Sequence, residues 1–290
     1  MAQNLLYILT EGSHDAAFVY RILKTHGFTT NNELIKNYPQ PLNNFLSRDI
    51  LNVSIPEVKI QEARSRFLPA YVMNRGNNLI LIYSIGGESK ADIRISLIKA
   101  LNALNEPDPD AIQAIQDTSI SVLYFFDADN LGTETRMNQV IEECKLAFPK
   151  VTFEDKYNPT EFHLFEDIQV GAYIFRKLDT DEGILEDVLL PLMRDGNDDI
   201  FQAAEVFLAV NHTCTLFSTS LKLDATGLIL KVNGEKYSHK KSLVGTVGQL
   251  RKSGKSNTVC ISDAEYITDA KINANGTCRD IMSRINKVLN

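Results

Sequence analysis

Three times along this chain a short apolar run stops at a turn and gives way to a helical stripe. Asn4 to Thr10 (NLLYILT) ends at Glu11-Gly12, and Ala16, Val19, Tyr20 and Leu23 follow at helical spacing, with Ser13 as the expected N-cap and His26-Gly27 as the stop. Leu79 to Ser84 (LILIYS) stops at Gly86-Gly87 and precedes the stripe Ile93, Leu97, Ala100, Leu101 and Leu104. Ile120 to Phe126 (ISVLYFF) ends in Asp127-Ala128-Asp129-Asn130, before a helix starting near Thr133. Strands alternating with helices imply an α/β fold on a parallel sheet with right-handed crossovers, and such sheets hold ligands at the carboxyl ends of their strands. Glu11, Gly86-Gly87, Asp127 and Asp129 all fall at that rim.

The remaining segments are less regular. Residues 28–78 are rich in Asn, Pro and Arg without a sustained period and read as an insertion. A loop surrounds Pro107 to Asp110, a weaker strand is expected around Val151 to Phe153, and another at Gly171 to Arg176. Beyond Asp179 an amphipathic helix begins in Gly183-Ile184-Leu185-Glu186-Asp187, a second fits Asp199 to Val210, and a last runs from Cys278 to about Leu289. Between them, Leu228 to His239 places Asn233-Gly234 between β-prone arms, a hairpin signal. At 290 residues this suits one elaborated domain or a domain with an appendage. The expected division is 1–180, carrying the site and the insertion, and a mixed α+β region 181–290 packed on it.

The formal net charge of -7 argues against binding nucleic acid through bulk attraction to phosphate. A local basic tract does exist at Lys236 to Lys255, including His239, Lys240, Lys241, Arg251 and Lys252, and it reads either as a solvated face or as a substrate contact. Cys144, Cys214, Cys260 and Cys278 are far apart without CxxC pairing, and no apolar run approaches the roughly 20 residues that span a bilayer. The expected setting is cytoplasmic, with reduced thiols and no membrane.

Asp127 and Asp129 leave a buried strand with one alanine between them, so both carboxylates can reach a common point. Hard oxygen ligands suit magnesium, which takes one or two protein carboxylates and keeps waters and phosphate oxygens. Helix capping and turn formation are the competing reading of such a pair. Glu11 brings a third acid to the same rim, and Gly12 beside it permits close approach of backbone and ligand. Three carboxylates there repel one another unless a cation is present.

Glu11-Gly12-Ser13-His14-Asp15 together with Asp127-Ala128-Asp129 resembles the signature of Toprim domains, shared by topoisomerases, bacterial primases, small ribosomal-RNA maturases and OLD-family nucleases. The resemblance implies proton transfer or metal binding for Glu11, and magnesium or manganese held by Asp127 and Asp129. Asp15 stands where OLD-like nucleases often carry a second acid, and is otherwise an acid in a helix's first turn. Gly183 to Asp187 looks like the GxLED segment of a Toprim-like group related to those nucleases, making Glu186 and Asp187 outer contributors to the metal. The likeness covers roughly residues 4–190, interrupted by 28–78. The chain lacks a DNA-gate region, a zinc module and a Walker A sequence, so it departs from topoisomerases, primases and full OLD proteins.

The expectation is therefore a metal-dependent nuclease acting on DNA or RNA. Gly12, Gly86 and Gly87 are candidate substrate contacts, joined by Lys240 and Lys241. A non-catalytic metal or nucleotide sensor stands as the alternative, with a protein partner supplying an ATPase or targeting; self-association is also open. A dehalogenase-type phosphatase, with Val259 to Asp263 as its later acidic motif, and a nucleotide-sugar transferase share the DxD spelling. The first normally places it after the opening strand, and the second leaves Glu11-Gly12 unexplained. His14 reads as a surface or packing residue.

Overall fold

The computed structural model describes residues 3–38, 42–43, 46, 68–105, 118–152, 158–211, 219–223, 229–235 and 239–289. The first repeat forms β1 (Gln3–Thr10) and α1 (Ser13–Thr25). Gly12, not Ser13, caps α1: the extended residue is Gly12, and the Asp15 carboxylate accepts its N–H, so the acid in the first turn does the capping. Within the expected insertion the structure has β2 (Thr29–Thr30) and β3 (Tyr71–Arg75), and β3 turns directly into β4 (Asn78–Ser84). The insertion thus ends in a strand that its mixed composition concealed.

The second repeat continues with α2 (Ala91–Asn105), and the third gives β5 (Thr118–Asp127) and α3 (Thr133–Ala147). No strand forms at Val151 and Thr152; the outer edge is a short antiparallel pair, β6 (His163–Phe165) and β7 (Ile168–Phe175). There follow α4 (Leu185–Arg194), α5 (Asp198–Asn211), the hairpin β8 (Thr219–Leu223) and β9 (Ile229–Glu235), then α6 (His239–Arg251), α7 (Asn257–Asp263), α8 (Asp269–Ala274) and α9 (Gly276–Leu289). Asn233-Gly234 lies inside β9, with Asn233 opposite Ser220, so it is not the turn its sequence suggested. The β-prone segment Val259 to Asp263 is helical, within α7. That removes the strand a dehalogenase-type motif would require. Pro107 to Asp110, Phe153, His212, Cys214 and Lys236 lie outside the described residues.

Seven strands form one sheet in the order β2-β3-β4-β1-β5-β7-β6; β4, β1, β5 and β7 are parallel, β3 pairs antiparallel with both β2 and β4, and β6 pairs antiparallel with β7. The fold is mixed α/β, a mostly parallel sheet flanked by helices. Its central strands are buried on both faces, which is why they read as continuous apolar runs. Leu6, Ile8, Leu123 and Phe125 enter one core with α1, α4 and the later helices, while Leu5, Tyr7, Leu9, Val122 and Tyr124 enter the other with α2 and α3. Among the described residues no helix is long and apolar enough to cross a membrane.

This layering fixes where a crevice opens. The chain leaves β1 toward one face, through α1, but leaves the flanking β4 and β5 toward the other, through α2 and α3. Thr10 is in register with Ser84 and Phe125, so the three exits lie at nearly one level, and a gap forms between loops that diverge there.

Candidate metal centre

A cleft of about 280 Å³ occupies that gap, lined by Glu11, Gly12, Ser13, His14, Asp15, Gly87, Asp127, Glu186 and Lys241. Four carboxylates from three parts of the sequence therefore face one space. Glu11 and Asp15 arrive on the β1–α1 turn, Asp127 at the end of β5, and Glu186 in the first turn of α4.

Two helix starts hold these acids. Asp127 accepts the Leu185 N–H at 2.7 Å, the opening residue of α4, and Asp187 accepts the Ile184 N–H at 3.1 Å, repeating on α4 the capping that Asp15 performs on α1 at 2.6 Å. The free N–H groups and positive dipole end of each helix favour negative charge at these positions. That support is incomplete. Burial raises Asp15 to about 7, against the lowering effect of the Gly12 N–H, and the charges of Glu11 and Glu186 add to the rise. Asp127 is raised well above the usual carboxylate range, by burial first and then by Asp15 and Glu11. Glu11 is also raised by burial; Arg136 opposes the rise and Asp129 reinforces it. The Glu11 Oε1 atom is buried with no hydrogen-bond partner.

Two basic side chains approach one of these carboxylates. His14 Nδ1 lies 3.1 Å from Glu186 Oε1, and Lys241 Nζ lies 4.0 Å from the same oxygen. His14, expected at the surface or in packing, instead belongs to the cleft, because α4 brings Glu186 up against the first turn of α1. Lys240 pairs with Asp187 at 2.6 Å, so the start of α6 folds onto the rim.

Asp129 is placed differently from Asp127. Its carboxylate pairs with the buried Arg136, whose Nη2 also stands 3.9 Å from Glu11 Oε1, and Asp129 does not line the cleft. Arg136 Nε donates to the Asp127 carbonyl at 2.9 Å. The backbone of Asp129 takes a left-handed φ of 51° and exchanges two hydrogen bonds with Gly183, 2.7 and 2.8 Å, tying the β5 exit to the α4 entry. Gly183 is required there: a Cβ would stand 2.6 Å from the Lys177 nitrogen.

Of the candidate glycines, Gly12 and Gly87 line the cleft. Gly86 shapes the turn beside it, at φ 119°, where a Cβ would come within 2.7 Å of the Lys90 side chain. The carbonyls of Gly86 and Gly87 both accept from Arg94 Nη1, the second at 2.8 Å. Sequence reasoning missed Arg136 and Arg94, since an arginine on a helix carries no local sign that it will be buried.

Hard carboxylate oxygens, among them the buried Glu11 Oε1 without a hydrogen-bond partner, are a donor set that an oxygen-seeking divalent cation would fit. Among the described residues no group of three or more histidine, cysteine, aspartate and glutamate side chains is drawn together closely enough to hold a metal ion.

No family model matches the chain, and no curated protein matches it in sequence. The crystal structure of a hypothetical protein from Pyrococcus horikoshii OT3 is similar to it, with a TM-score of 0.54 over 99% of this chain and 95% of that one, at 14% identity. At that identity the likeness is one of fold, and it extends over nearly the whole of both chains.

Proposed function

We propose that this chain is a magnesium- or manganese-dependent phosphoryl-transfer protein of Toprim type, a nuclease that hydrolyses nucleic-acid phosphodiesters in the cytoplasm. The observation that carries the reading is the meeting of Glu11, Asp15, Asp127 and Glu186 in one cleft at the carboxyl rim, whose lining among the described residues includes a single lysine, Lys241. These four residues would hold the ion, and Asp129, fixed by Arg136, bounds the site from outside. A bound ion supplies positive charge that offsets the charge developing on phosphoryl oxygens. Glu11, with proton affinity raised by burial, suits proton transfer to or from a water or a leaving oxygen. Lys241 places an ammonium in the same cleft, where it can meet a substrate phosphate.

A second reading, a non-catalytic metal- or nucleotide-binding subunit working with a partner, draws on the contacts that Glu186 already makes with His14 and Lys241. One panel separates the two. Single- and double-stranded DNA and RNA are incubated with magnesium or manganese, with Asp127→Ala as control. Cleavage that needs the metal and disappears in the variant supports the nuclease; metal binding without cleavage of any substrate supports the subunit.

A further inference from the structure

A second and larger cleft, of about 440 Å³, opens past the end of β7, and its lining includes Tyr173, Arg176, Lys177, Thr277, Asp280 and Arg284. Its charge is opposite to that of the acidic site: three cations against one acid, in a chain whose net charge is -7. The acid is already engaged, because Asp280 lies 3.4 Å from the Arg284 guanidinium. Arg284 is itself locked in place, donating to the Thr160 and Ala172 carbonyls and covering the Tyr173 ring at 5.2 Å. Arg176 and Lys177, by contrast, are exposed and make no side-chain hydrogen bond or ion pair among the described residues. Two adjacent unpaired cations on the wall of a concave surface are not needed by the fold.

Position gives them a use. Asp127 is paired with Phe175 in the sheet, and Arg176 is the next residue along. With strands about 4.8 Å apart, the Arg176 backbone lies within about 10 Å of that of Asp127. A polyanion lying across the carboxyl rim would pass from one cleft into the other.

We propose that the Arg176/Lys177 cleft binds the phosphate backbone of the nucleic-acid strand cut at the acidic site, beside the point of cleavage. The inference rests on the nuclease reading and gives it a direction: the strand enters over β7 and reaches Asp127 across the end of β5. Such a contact fixes register without reading bases, so it is sequence-independent and weakened by salt.

The test uses the full chain with Arg176→Ala and Lys177→Ala combined, two exposed positions whose loss leaves the core intact. Affinity for a fluorescein-labelled mixed-sequence oligonucleotide is measured by anisotropy across a salt series, in an Asp127→Asn background so that the strand is not cut. Magnesium-dependent hydrolysis of bis(p-nitrophenyl) phosphate, too small to reach the second cleft, is measured with Asp127 present. The expected result is affinity lower by roughly tenfold or more, a log-log salt slope shallower by about 1.4 to 2, and unchanged hydrolysis of the small diester. Unchanged oligonucleotide affinity overturns the proposal, as does a chain with Arg176 and Lys177 intact that binds no oligonucleotide. If small-diester hydrolysis persists in either case, the phosphodiesterase site stands without this cleft; if the unaltered chain hydrolyses neither substrate, the nuclease reading fails with it.

Discussion

Two groups of buried charge flank the Gly86-Gly87 turn, and only one is balanced. Behind the turn, Arg94 is fully buried. Its Nε and Nη2 hold Glu143 at 2.9 and 2.6 Å, its Nη1 serves the Gly86 and Gly87 carbonyls, and its guanidinium lies 4.9 Å from the Phe126 ring centroid. In front of the turn, Glu11, Asp15, Asp127 and Glu186 face one another across open space. A charge pair that closes on itself ties α2 to α3 and asks for nothing more. A cluster of like charges in the same fold is a standing cost, and natural proteins accept that cost mainly where a ligand repays it.

The contrast can be broken from either side. The largest effects are expected in the acidic group: Asp127→Asn keeps an acceptor for the Leu185 N–H but removes the charge, and metal-dependent phosphodiester hydrolysis falls to background. Glu11→Gln lowers the rate by about 10²- to 10⁴-fold, the range for a lost proton-transfer group, while circular dichroism stays unchanged. In the balanced group, Arg94→Ala strands a buried carboxylate and costs about 3–5 kcal/mol in denaturant unfolding. A similar loss of stability from Asp127→Asn, or a mild one from Arg94→Ala, would erase the distinction.

A smaller effect concerns pH. Asp15 is raised from an ordinary 3.8 to about 7, so between those values the folded chain holds a proton that the unfolded chain has released. Stability measured with chelator present should therefore be greatest below about pH 4 and fall as pH rises to about 7, by at most about 1.4 kcal/mol per pH unit from this group. Saturating magnesium should flatten the slope by taking the place of the proton, and Asp15→Asn should flatten it without magnesium. The smallest expected change is Lys240→Ala. Its partner Asp187 still caps α4, and the partly exposed pair contributes no more than about 1 kcal/mol to thermal stability.

The sequence revealed most where burial is two-sided. NLLYILT, LILIYS and ISVLYFF are continuous apolar runs because helices cover both faces of β1, β4 and β5, and each run ends at the turn that carries a site residue. Glu11 and Asp127 were placed at one rim by that reasoning alone. Asp129 looked equivalent to Asp127, yet two residues of offset and a left-handed backbone turn its carboxylate to Arg136, an outcome decided by a side chain seven residues further on. Lys241 belongs to α6, far along the chain, and reaches the cleft because the later helices share a core with α1. No local pattern encodes that contact. Asn233-Gly234 misled for a related reason: a dipeptide favoured in tight turns was absorbed into β9, where pairing shifts register.

The tie between Asp129 and Gly183 has a consequence for how mutational tolerance should read at the rim. Because the linkage is made by main-chain atoms, what it requires of residue 129 is a left-handed conformation, a demand separate from the ion pair that the side chain makes with Arg136. A saturation scan there should rank glycine and asparagine among the permitted residues and reject valine and isoleucine, a profile of conformational selection unlike the charge requirement expected at position 127.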